Sequence, residues 1–139
     1  MSLFRVLDIA GTALGAESVR LNLVASNLAN AESAAGSEAG AYRARQPIFA
    51  TLLEEAGMTG GDVPAGVQVT GIIESAAPTR REYQPDHPLA DETGYIYLPN
   101  VNPVAEMTDM ISASRAFQTN TEVINTAKQM ILRLLALGQ

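Results

Sequence analysis

Apolar residues recur with a seven-residue period at both ends of this chain. Leu7, Leu14, Leu21 and Leu28 stand seven apart, and Leu3, Ala10 and Val24 complete an alternating spacing of three and four. Near the other end Met110, Phe117, Ile124 and Ile131 repeat the pattern, with Ala113, Ala127 and Leu134 interleaved. A stripe of this period is the seam through which one helix packs on another, narrower than the face a helix turns to a globular core. The chain therefore reads as mainly α with a small β-rich insert. Long N- and C-terminal helices pack as a coiled-coil-like pair, on each other or on other chains, and a small β or irregular domain lies between them.

Three segments follow: a first helix within residues 1–32, a middle domain over 33–99, and a second long helix within 100–139. Ser2 suits the N-cap of the first helix, which should run to about Asn30. Gly11 and Gly15 interrupt it, each costing about 1 kcal/mol against Ala. They form a small-xxx-small step, which allows close backbone approach or simply leaves the helix loose until it packs. Glu17 falls on the seam where an apolar residue is expected, as a register-setting charge or a gap in the contact. From Glu32 to Ala41 the chain is small and polar and reads as a flexible loop.

The middle holds eight of the eleven glycines and six of the seven prolines, so long helices are excluded there. Strand candidates are Tyr42 to Leu53, Val67 to Glu74 and Tyr95 to Leu98; turns are expected at Thr59-Gly60-Gly61-Asp62 and Pro85-Asp86-His87-Pro88. The second helix opens with Asn102 as N-cap and Pro103 at its first position, where a missing N–H costs nothing. No strong breaker follows before Gly138, giving about 35 residues and roughly 50 Å at 1.5 Å per residue. The middle domain cannot cover that length, so much of this helix must find its partner elsewhere.

The net charge of −6 is unevenly placed. Residues 1–32 carry two Arg against three acids, and residues 100–139 carry three bases against three acids. The middle carries four Arg against nine acids. Near-neutral ends can lie beside copies of themselves without repulsion while the acidic middle faces solvent. With no basic run, nucleic-acid binding is excluded. The absence of cysteine rules out disulfides and thiolate metal sites. The N-terminus lacks the basic and apolar regions of a signal peptide, and no uncharged apolar window is long enough to span a membrane.

Catalytic patterns are missing. The single His87 sits in a proline-rich turn beside Asp86 and reads as a solvent-exposed turn residue; one imidazole is a poor metal site or general base. There is no Gly-x-Ser-x-Gly elbow, phosphate loop or dinucleotide fingerprint. Glu54, Glu55 and Glu74 are the remaining candidates for an acid pair, and nothing in the sequence orders them. No cofactor is implied. Met107, Met110 and Met130 with Phe117 read as a packing stripe more than a ligand groove. Ser26, Asn27 and Asn30 suit a helix C-cap, or interchain hydrogen bonds that set register; Asn120 on the second seam invites the latter reading too.

At these residues a resemblance appears. Ala25-Ser26-Asn27-Leu28-Ala29-Asn30-Ala31 resembles the N-terminal motif of the axial proteins of the bacterial flagellum, the rod and hook components. Pro99-Asn100-Val101-Asn102-Pro103-Val104-Ala105-Glu106-Met107, continued by Ser114 to Asn120, is similar to their C-terminal motif. The run Tyr83 to Asp91, the step Gly94-Tyr95-Ile96 and the ending Leu137-Gly138-Gln139 resemble the proximal-rod members.

The resemblance implies a structural role without enzymatic activity. Such subunits leave the cell unfolded through the flagellar type III export apparatus, without a cleavable signal peptide. They polymerise into a hollow rod in the periplasmic basal body, with terminal helices lining the tube and the middle domain outward. The implied partners are copies of the chain, other proximal and distal rod proteins, the adaptor FliE and the export apparatus. No nucleic acid and no membrane span are implied. The expected packing residues are Leu7, Leu14, Leu21, Ser26, Asn27, Leu28 and Asn30 on the first helix. On the second they are Met107, Met110, Phe117, Asn120, Ile124 and Ile131. Two competing readings are a secreted helical adaptor that does not polymerise and a periplasmic wall-cleaving hydrolase, the latter lacking an acid pair.

Overall fold

A computed structural model describes residues 3–56 and 61–137. The elements run α1 (Leu3–Ala29), β1 (Arg45–Ala56), β2 (Gly61–Glu74), β3 (Arg80–Tyr83), β4 (Tyr95–Leu98) and α2 (Pro103–Leu137). Asn102 caps α2 as its sequence suggests: Oδ1 accepts from Val104 N at 3.1 Å and Ala105 N at 3.3 Å, and Pro103 has no N–H to satisfy. Ser2, Thr59, Gly60 and Gly138 lie outside the described residues.

The two helices pack antiparallel. Arg20 Nη2 reaches Asp109 Oδ1 at 2.9 Å, joining the later half of α1 to the start of α2. At the opposite end Val6 shares a groove with Thr119, Val123, Ala127 and Met130. The positions most buried on the helices are small: Ala10, Ala16 and Val24 on α1, Ala113 and Ala127 on α2. Because α2 has 35 residues against 27 in α1, its last turns run past their partner. Leu132, Leu134 and Leu135 are 55–64% exposed there.

The strands form two separate antiparallel pairs, β1–β2 and β3–β4. β1–β2 packs against α1. Thr12 Oγ1 donates to Ile9 O at 2.8 Å and accepts Val67 N–H at 3.2 Å, tying β2 to the helix. A methyl group added at Gly66 would overlap the Thr12 side chain, so glycine permits this approach. Register shifts at Ile48/Phe49 and Leu52/Leu53 break the strict alternation of faces along β1.

Several local expectations need correction. β1 starts at Arg45, three residues later than the pattern suggested, because Tyr42 is committed to contacts with α1. β3 was not foreseen: all four of its residues are exposed, so it has no buried apolar face to reveal it; it pairs with β4 through the backbone, with Tyr83 edge-on to Tyr95 at 5.1 Å and the Arg81 guanidinium 4.5 Å over the same ring. The Glu32–Ala41 segment is anchored. Ala35 exchanges two 2.9 Å backbone bonds with Tyr97, and Glu38–Gly40 form a 3₁₀ turn capped by Ser37. Gly61 and Asp62 belong to β2. Gly11 and Gly15 face open space, so no close approach within the chain uses them.

Asp91 organises the connection from β3 to β4. Oδ1 accepts from Thr93 Oγ1 at 2.6 Å, Thr93 N at 2.8 Å and Tyr95 N at 3.0 Å, and Oδ2 takes the Tyr97 hydroxyl at 3.3 Å. The Thr93 hydroxyl first, then the Tyr95 and other donors, hold its carboxyl below the ordinary aspartate value. A lowered folded-state pKa means a stabilising contribution fully present above the unfolded value and lost as pH falls through the lowered one. Asp91→Asn should therefore lower the protection factors of the Thr93 and Tyr95 amides at neutral pH, where the carboxylate is charged, and abolish their fall as the pH is lowered. Equal exchange in both proteins, measured by NMR, would deny Asp91 this role.

Candidate assembly surfaces

The end of α1 carries Ser26, Asn27 and Asn30, and the structure gives each an intrachain task. Asn27 is 1% exposed. Its Nδ2 donates to Arg45 O at 2.9 Å, while Oδ1 accepts Arg45 N–H at 2.9 Å and the Tyr42 hydroxyl at 2.9 Å. The amide thus faces the Arg45 backbone as a neighbouring strand would. The Tyr42 proton goes to Asn27, so Ser26 Oγ, 3.1 Å away, donates to Tyr42. Asn30 Nδ2 donates to Ser26 O at 2.8 Å and satisfies a carbonyl in the last turn, which is the C-cap role.

Asn100 does the same from the other side of the junction. Its Oδ1 accepts Ala44 N–H at 2.8 Å, and Nδ2 reaches Ser75 O at 3.2 Å and Ala77 O at 2.7 Å. In the sequence Asn100 stands only as one residue of a motif, with nothing to mark a role of its own. Tyr42 was likewise read only as the start of a strand. An aromatic hydroxyl and an isolated Asn carry no spacing signal that names a partner so far along the chain.

Along the seams the predicted residues are not equally placed. Leu7, Leu14, Leu21 and Leu28 are half-buried, as are Met110, Asn120, Ile124 and Ile131. Phe117 is 37% exposed and Met107 57%, so these two present much of their surface outward. Asn120 Nδ2 donates to Ala116 O within its own helix at 3.0 Å. Glu17 Oε2 is out of water with no hydrogen bond, and the Arg20 guanidinium lies 3.7 Å from it. Since Arg20 also binds Asp109, the seam charge joins a bridge between the helices.

Of the residues weighed for chemistry, the side chains of Glu54 and Glu55 lie outside the described part of the structure. Glu74 pairs with Arg45 at 3.3 Å, and His87, half-buried and not the exposed residue expected, accepts Leu89 N–H through Nδ1 at 3.1 Å. Among the described residues no group of His, Asp or Glu is arranged to hold a metal ion, and no helix is long and apolar enough to cross a membrane.

Removing the Asn27 amide leaves the Arg45 N–H, the Arg45 carbonyl and the Tyr42 hydroxyl without their partner. An orphaned buried polar group costs roughly 1–3 kcal/mol. Asn27→Ala should lower unfolding stability by about 2–4 kcal/mol, read from the urea midpoint. A loss below about 0.5 kcal/mol would show that water replaces the amide freely.

Two family models match the chain: flagella basal body rod protein over residues 7–34, and the C-terminal region of flagellar basal body rod FlgEFG proteins over residues 92–137. The flagellar basal-body rod protein FlgC of Salmonella typhimurium is 48% identical over 139 residues, covering all of both chains. That of Escherichia coli O157:H7 is 49% identical, again over the whole of both. The FlgC of Borreliella burgdorferi is 37% identical over 151 aligned residues, covering 100% of this chain and 99% of its own.

Proposed function

The chain belongs to the FlgC flagellar basal-body rod proteins, and from that premise we propose how it builds the rod. It is a structural subunit of the bacterial flagellar basal body. The terminal segments 1–32 and 100–139 form the inner wall of a hollow shaft, and residues 33–99 face outward. The shaft transmits torque across the periplasm and lets export substrates pass. Copies of the chain, other proximal and distal rod proteins, the adaptor FliE and the type III export apparatus are its partners.

The observation that carries this reading is the surface the chain leaves uncovered. Its accessible area is 9334 Å², whereas a compact monomer of 14.7 kDa exposes roughly 6,900 Å². The excess of about 2,400 Å² equals roughly three partner faces of a standard interface, near 800 Å² each. A rod subunit meets several neighbours; an adaptor in one complex needs fewer. Phe4, Met107, Ile111, Leu134 and Leu135, all more than half exposed, supply the apolar part. Burying each contributes about 1.5–3 kcal/mol.

Charge partition supports the radial order. The helical segments are nearly neutral and stack without repulsion, while the acidic middle stays hydrated.

A charge placed on either seam tests the packing role. Leu21→Asp or Ile124→Asp should stop rod assembly and swimming while export of the chain continues, scored by motility and by the protein in basal-body and medium fractions. Swimming retained by both variants would refute assembly through these seams.

A further inference from the structure

The two helices are covered unequally. On α1 the exposed positions, among them Asp8, Gly11, Gly15, Ser18, Asn22 and Ala25, stand three and four apart in one narrow stripe, and every other described position is buried or half-buried. α2 is the reverse: Met110, Ala113, Asn120, Ile124, Ala127 and Ile131 mark one covered seam in a mostly exposed helix. The difference is the β1–β2 ribbon, which packs on α1 in addition to α2, with β2 making more of the contact.

The ribbon is fixed to the helix at two places. At its base Asn27 holds Arg45 by two bonds of 2.9 Å. Fifteen positions earlier on α1, Thr12 holds Val67. Thr12 Oγ1 gives its proton to Ile9 O at 2.8 Å, which leaves its lone pairs free to accept Val67 N–H at 3.2 Å. Gly66 brings the strand this close, since a Cβ there would meet Oγ1, Cβ and Cγ2 of Thr12. The lengths agree: fifteen helical residues cover about 22 Å, and the path from Arg45 to Thr51, the partner of Val67, covers about 20 Å of strand. Ribbon and helix therefore run side by side between the two anchors. β2 also carries an extra residue at two places, Thr70 opposite the step Ile48–Phe49 and Ala65 opposite Leu52–Leu53. Such bulges bend a strand and raise its twist, and the second adjoins Gly66 at the contact.

We propose that the β1–β2 ribbon is a strap that holds the first half of α1 helical, and that Thr12 against Gly66 and Val67 is its latch. This is a property of the free chain and does not depend on what the chain assembles with. The first half of α1 needs such support. Gly11 and Gly15 weaken its intrinsic helicity, and the residues it buries most, Ala10 and Ala16, are small. A helix with so little burial is marginal by itself. Because Asn27 holds the base independently, opening the latch peels the strap from its far end while the junction stays closed.

Hydrogen exchange of the purified full chain, read residue by residue by NMR, tests the latch. Thr12→Val keeps the shape of the side chain and removes the hydroxyl, whereas Gly66→Ala pushes the strand away. Each should speed exchange about fivefold in residues 7–16 and, to a similar degree, in 52–56 and 61–66, as the loss of one hydrogen bond predicts. Tyr95 and Tyr97 in β4 should not change. Thr12→Ser, which retains the hydroxyl, should exchange like the natural chain. Thr119→Val makes the same replacement on α2, where the hydroxyl bonds Arg115 O of its own helix at 3.0 Å, and should leave α1 unchanged. Unchanged exchange in α1 of Thr12→Val and Gly66→Ala, whether or not the ribbon loosens, would overturn the proposal, since the ribbon would then not order the helix. Equal acceleration in β4 would also overturn it, by showing a general loss of structure, as would Thr12→Ser behaving like Thr12→Val.

Discussion

The fold turns on the pairing of one buried amide with one residue's backbone. Asn27 presents a donor and an acceptor to Arg45 at 2.9 Å each, while Asn100 Oδ1 takes the N–H of Ala44. The remaining carbonyl, that of Ala44, accepts Ser75 N–H at 2.8 Å. Every polar backbone group of the Ala44–Arg45 step is thereby satisfied, two by α1, one by the segment entering α2 and one by the residue that follows β2. Four parts of the chain meet at this dipeptide. Aspartate could not replace Asn27, because it would set an acceptor oxygen against the Arg45 carbonyl and bury a charge.

Hydrogen bonding has to do this work because apolar packing is thin. The buried cluster beside the junction is Ala31, Ala44 and Val101 with Tyr42 against it, and the largest fully buried side chains anywhere in the described chain are Asn27 and Pro99. Apart from Ile96, which is 2% exposed, the described leucines, isoleucines and phenylalanines sit half-buried or exposed on helices and strands. Small residues at the α1–α2 contact let the helices approach closely but remove little apolar area from water. Directional contacts set the geometry of the monomer, and the large apolar side chains are left for other surfaces.

Elements whose cause lies in their own residues were legible in the sequence. The seven-residue stripes marked both helices, Asn102-Pro103 marked the start of α2, and the prolines around His87 marked a turn. Features whose cause lies elsewhere in the chain were not. β3 exists because β4 offers it a backbone edge and the Tyr95 ring, on which Arg81 and Tyr83 lean, a partner that lies outside its own four residues. The alanine- and glycine-rich segment after α1 looked flexible because its anchor, the backbone of Ala35 on Tyr97, involves no side chain. Asn27 was visible as a polar residue at a helix end, where a cap or an interchain bond is the local expectation. Its true partner is 18 residues away and is a main chain, to which sequence patterns are blind.

This division of labour couples the stability of the subunit to its assembly. A folded state that exposes most of its large apolar residues gains little from them alone, and binding to neighbours stabilises it by mass action because the unfolded chain cannot make the same contacts. The overhanging end of α2 is the extreme case: Leu132, Leu134 and Leu135 are all more than half exposed, so that stretch leans mainly on helix propensity, which is marginal for so few residues. The Asn27 junction does not share this dependence, since its partners are all intrachain. The chain is thus firm where the helices join the strand domain and weakest at the helical tips.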